Sequence, residues 1–142
     1  MFASAWFAAL VAGGVAQTIK LTLAIRRARE LSAHAFLNLP GMPSTWAAMC
    51  GALCLVLGRR QGLASPEFAM TVALSCLVLY DTLGLRRSAG RQARLLNTIA
   101  RELEARQKQA AGRHLRELLG ESPAQVAGGL AVGLVVALPW VV

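Results

Sequence analysis

Charge is scarce in this chain of 142 residues. Only 15% of them are Asp, Glu, Lys or Arg, against ~25% in an ordinary soluble domain, while 56% are apolar. A small soluble domain has a large surface to hydrate, and so little charge covers it poorly. Abundant apolar residues exclude intrinsic disorder. Cysteine is also scarce: three residues, an odd number, exclude a disulfide-stapled scaffold. Histidine occurs only at His34 and His114. The sequence has no P-loop, no dinucleotide fingerprint and no Ser-His-Asp set. What remains is a membrane protein or a very apolar soluble bundle.

The placement of charge decides between them. Residues 2–19, 31–58 and 122–142 carry no formal charge, and residues 68–85 carry one, Asp81. A soluble helix bundle would place charges every few residues on its wet faces. A helix needs ~20 apolar residues to cross the hydrocarbon core. We therefore expect an all-α integral membrane bundle of four transmembrane helices, roughly 2–22, 43–59, 66–85 and 122–141, forming one membrane domain over residues 1–142. The N-terminal stretch lacks a basic n-region, exceeds a typical h-region and is followed by Arg26, Arg27 and Arg29, so it reads as a span and not a signal peptide.

A net charge of +8 would point to nucleic acid in a soluble protein. Here the positive-inside rule accounts for it, and no nucleic-acid partner is expected. The connections after the first and third spans carry twelve Lys or Arg residues; the middle loop carries two, Arg59 and Arg60. The expectation is a bacterial inner membrane protein with both of those connections cytoplasmic and both termini outside. Cys50, Cys54 and Cys76 fall within spans, and Cys50 and Cys54 have no histidine beside them, so no metal or other cofactor is expected.

Between the third and fourth spans, residues 88–119 read as a cytoplasmic basic amphipathic helix, with Leu95, Ile99 and Leu103 on one face. Two readings stay open for it: an interfacial helix held by anionic headgroups, or a solvated linker. Residues 31–43 end in Pro40-Gly41-Met42-Pro43 and read as an interfacial or re-entrant loop. Small residues at Gly129, Gly133 and Ala137 suit close helix contact, either inside one bundle or between copies in a homo-oligomer.

With this topology polar groups gather at one level. Gln17 and Lys20 end the first span, Ser44 and Thr45 open the second, Asp81, Arg86 and Arg87 close the third, and Glu121 and Ser122 open the fourth. Ionisable groups near hydrocarbon are unfavourable and tend to mark function. The Gly41-Met42-Pro43-Ser44 start offers free backbone N–H groups and a positive dipole end, which suit an anion. Lys20, Arg86 and Arg87 could complete a phosphate site there, the arginines with bidentate contacts. Each feature also has a plainer account: a snorkelling lysine, an Asp81–Arg86 pair, a capped helix.

Taken in order, Gly41-Met42-Pro43-Ser44, the block from Tyr80 to Ala93 with its Asp81-x-x-Gly84-x-Arg86-Arg87-x-x-Gly90-x-Gln92-Ala93 pattern, Leu95-Leu96-Asn97, Leu118-Leu119-Gly120 and Pro123 resemble the divergent type-2 phosphatidic acid phosphatase family. These small membrane proteins are related to acid phosphatases and vanadium-dependent haloperoxidases. The resemblance implies a phosphoester site, with Lys20, Gly41, Ser44, Thr45, Arg86 and Arg87 as phosphate-binding candidates and membrane lipids, in particular lipid phosphates, as partners. It also implies two histidines. Where the family reads Gly-Met-Pro-Ser-Ser-His, this chain has Thr45-Trp46, and where the family has Leu-Gly-His-x-Pro, it has Leu119-Gly120-Glu121-Ser122-Pro123. Tryptophan carries no transferable proton at neutral pH, and glutamate is a poor substitute for a phosphohistidine-forming nucleophile. Three expectations follow. The first is a catalytically degenerate member that keeps a cytoplasmic-face phosphate site. The second is an active phosphatase using Glu121 or His34, with Asp81 a weaker catalytic candidate. The third is a structural or assembly subunit.

Overall fold

The computed structural model describes residues 2–27, 41–107, 115 and 120–141. All regular structure among them is helical. Helix α1 spans Phe2–Arg27, α2 Thr45–Gln61, α3 Pro66–Tyr80, α4 Arg86–Gln107 and α5 Pro123–Ala137, with a π-helical turn at Asp81–Leu85 and a 3-10 turn at Leu138–Trp140. Among the described residues three helical stretches are long and apolar enough to cross a bilayer: Ala5–Arg26, Pro66–Glu102 and Pro123–Trp140. The expected second span is shorter. Helix α2 has 17 residues, or ~25 Å at 1.5 Å per residue, against a hydrocarbon core of ~30 Å.

Helix α2 is nevertheless central. It packs against α1, α3 and α5, and α1 also touches α5. Its contacts are built from very small residues. Ala5, Ala8, Ala12 and Ala16 of α1 meet Ala48, Ala52 and Val56 of α2 and Ala137 of α5 in one buried cluster. A Cβ on Gly133 would overlap the Ala48 carbonyl oxygen, and one on Gly129 the Ser44 carbonyl oxygen. Lipid gives helices no hydrophobic reason to associate, so close backbone approach through Ala and Gly supplies the contact energy. Gly129 and Gly133 thus pack against α2 of the same chain.

Helix α3 lies at the side of this core and touches α2 through Phe68 at Gly58 and Ser75 at Cys54. Its remaining faces expose Met70, Leu74, Leu77 and Tyr80, as a lipid-facing helix should. The expected break after residue 85 is absent. The Arg86 N–H donates to the Asp81 carbonyl, an i→i+5 bond, so α3 runs through the π-helical turn into α4. The stretch Pro66–Glu102 is ~55 Å long and outreaches the hydrocarbon. The basic segment expected as a separate helix over 88–119 is therefore, up to Gln107, the continuation of the third span. Residues 108–114 and 116–119 lie outside the described residues, as do residues 31–40 of the expected loop, whose end at Gly41–Ser44 is non-helical.

Candidate functional site

One end of the bundle collects the C-terminal half of α1 and the N-termini of α2 and α5, with the π-helical turn beside them. Antiparallel packing of consecutive helices brings these four places together. Ser44 is the N-cap of α2: its Oγ accepts from the Ala47 N–H, and its own N–H donates to the Gln125 carbonyl of α5. Ser122 caps α5 reciprocally with Gln125 in a capping box. These bonds fix the two helix starts against each other.

Around them lie the polar side chains. Lys20 is only 7% exposed, and its Nζ donates to Thr45 Oγ1 at 3.3 Å. Thr45 Oγ1 in turn donates to Gln17 Oε1 at 2.8 Å. The Ser44 hydroxyl, fully buried, donates to Glu121 Oε2 at 2.5 Å. Glu121 is also close enough to Lys20 for the two charges to interact. The Glu121 backbone N–H donates to the Thr82 carbonyl inside the π-helical turn, which ties the start of α5 to the third span. Gly120, just before it, has φ +89°, and a Cβ there would overlap the Arg87 backbone, so only glycine suits the position.

Asp81 and Arg86 pair with each other. Arg86 Nε lies 2.8 Å from Asp81 Oδ2, and both side chains are partly exposed. The π-helical turn accounts for the pairing, because a widened turn brings residues five apart onto one side. Arg86 also lies over the ring of Trp46, 5.9 Å from its centroid, which places this guanidinium beside the start of α2. Arg87 is exposed, with its backbone against Gly120. Gly41 sits next to the Lys20 side chain. Lys20, Gly41, Ser44, Thr45 and Glu121 thus form one cluster, with Arg86 at its edge through Trp46. His34 and His114 lie outside the described residues.

Sequence reasoning missed three partners. Thr82 and Gln125 contribute backbone carbonyls, which no side-chain pattern reveals, although Ser122-x-x-Gln125 is a legible capping-box signature. The third is Asn97, buried on α4. Its Nδ2 donates to the Leu115 carbonyl at 2.7 Å, and its Oδ1 accepts from the Leu115 N–H at 2.8 Å. One amide thus clamps the returning chain to α4. Among the described residues no group of three His, Cys, Asp or Glu could hold a metal ion.

The sequence matches the profile of the divergent PAP2 family over residues 3–136. The chain belongs to this family. It is also 29% identical over 133 residues to a Bacillus subtilis chain described as an uncharacterized membrane protein, YuiD, covering 87% of this chain and 84% of that one. No solved structure matches it significantly. Within the divergent PAP2 family this chain is an integral membrane protein, in keeping with its three long apolar helices. The two positions where a histidine was expected are both at the cluster: Trp46 under Arg86, and Glu121 on Ser44.

Proposed function

We propose that this divergent PAP2 family protein binds a phosphate monoester, as a lipid phosphate carries, at the polar end of its bundle and does not hydrolyse it. The observation that supports the reading is the nearly buried Lys20, held by Thr45 at the capped start of α2, with Trp46 and Glu121 in the two expected histidine positions. Lys20 supplies the charge, the α2 start supplies N–H groups and the positive dipole end, and Arg86 and Arg87 stand at the rim. The phosphohistidine-forming nucleophile that the resemblance implies is absent, and Glu121 in its place is a poor substitute. In this reading α2 spans the membrane as a fourth, short helix, within the usual range of ~17–25 residues. The polar end faces the cytoplasm of a bacterial cell and both termini lie outside, following the twelve basic residues of the two long connections.

The test is a phosphatase assay on the reconstituted protein across lipid and soluble phosphate monoesters. The wild type is expected to release no phosphate above a Lys20→Ala control. The triple substitution Thr45→Ser, Trp46→His and Glu121→His is expected to gain measurable release. Wild-type release that disappears in Glu121→Gln or His34→Ala would replace this reading with that of an active phosphatase.

A further inference from the structure

In the wild-type structure a carboxylate already occupies the polar cluster. We propose that Glu121 is the site's own competing anion: its side chain holds the place a phosphate monoester takes, and the ligand binds by displacing it. The inference rests on the phosphate-binding reading above and adds the residue that sets its affinity.

Three observations carry it. First, Glu121 Oε2 accepts a hydrogen bond from the hydroxyl of Ser44, the fully buried cap of α2, so the carboxylate sits against the helix start that would receive a phosphate oxygen. Second, Lys20, whose Nζ donates to Thr45 in the same cluster, is near enough to Glu121 for their opposite charges to attract, although the two make no direct ion pair. A phosphate and this carboxylate would compete for one hydroxyl and one ammonium, and two anions held there together would repel. Third, the backbone around Glu121 is held without its carboxylate: the Glu121 N–H donates to the Thr82 carbonyl, and Gly120 is seated on the Arg87 backbone, so moving the side chain leaves these anchors in place. A histidine at residue 121 would bring no such permanent negative charge. The exchange of histidine for glutamate therefore does more than remove a nucleophile: it fills the site.

The experiment compares wild type, Glu121→Gln and Glu121→Ala in nanodiscs. Binding is measured by calorimetry with two probes, inorganic phosphate added to neutral phosphatidylcholine discs and a water-soluble short-chain phosphatidic acid. Glu121→Gln keeps an acceptor for Ser44 and removes the charge. We expect it to bind at least one probe ~10-fold or more tightly than wild type, and Glu121→Ala to do the same. A gain with both probes marks the phosphate group itself as the ligand, and a gain confined to phosphatidic acid marks the lipid as its source. Equal or weaker binding by both variants, with the wild type binding, overturns the competition and leaves the phosphate site standing. No binding by any of the three proteins, with helix content and thermal unfolding unchanged, overturns the phosphate site and the competition with it.

Discussion

The two ends of the α1–α2–α5 bundle solve the same problem differently. At one end the helix termini are closed by hydrogen bonds among buried and half-buried side chains: Lys20 to Thr45, Thr45 to Gln17, and Ser44 to Glu121. At the other, aromatic rings close the structure. Phe7 rests 6.2 Å from Trp140, and exposed Arg60 donates from Nε and Nη2 to the Trp140 carbonyl. The aromatic end is what membrane helices need to stop at an interface. The polar end places an ammonium and a carboxylate among tightly packed helices, where a core of alanine would be simpler, and structural need alone does not call for it. Function is therefore sought at the polar end.

Between the ends, the α2–α5 seam holds both in register, and disturbing it should have the largest effect. Gly133→Val would drive its side chain into the Ala48 carbonyl and separate α2 from α5. We expect a loss of ~3 kcal/mol or more, read as a large drop in the unfolding temperature in detergent.

The next test sharpens the contrast. Lys20→Met removes the cation answering Glu121 and should lower stability by ~1–3 kcal/mol. Adding Glu121→Gln should restore at least half of that, because neither charge is then left alone; a thermal double-mutant cycle reads the difference. Both proteins should lose phosphate-monoester binding, since Lys20 is absent from each. Recovered stability would show that the two charges are coupled, and binding that does not return with it would show that the ligand needs Lys20 as well.

Smaller effects separate the ends directly. Ser44→Ala removes the α2 cap and should lower stability by ~1–2 kcal/mol. Arg60→Ala at the aromatic end removes an exposed contact and should lower it by less than ~1 kcal/mol, measured in the same unfolding assay.

Much of this arrangement is legible in the sequence. Uncharged runs place the helices, and reversing direction at each connection brings Lys20, Ser44, Thr45 and Glu121 to one end, where the structure joins them. Less legible is how they pair. Asp81 could have met Lys20 or Arg86; the π-helical turn decides for Arg86, and an i→i+5 turn leaves no mark in apolar periodicity. The same turn hides the continuity of α3 with α4, because the sequence shows only a change from apolar to basic residues, which reads as a helix end. Helix α2 shows the opposite difficulty. Its apolar run merges with the uncharged residues before Pro43, and only the Pro40-Gly41-Met42-Pro43 breaker marks where the helix can begin, close to its start at Thr45.

A phosphate site at the polar end requires that the polar ends of all these helices share one side of a bilayer. Single-cysteine accessibility labelling tests it most directly, using Phe2→Cys, Gly62→Cys, Ala105→Cys and Val142→Cys with the three native cysteines replaced by alanine. Position 105 alone is expected to be labelled from the cytoplasmic side, while 2, 62 and 142 react from outside. Labelling of position 62 on the same side as 105 would mean that α2 does not cross and that the proposed four-span topology is wrong.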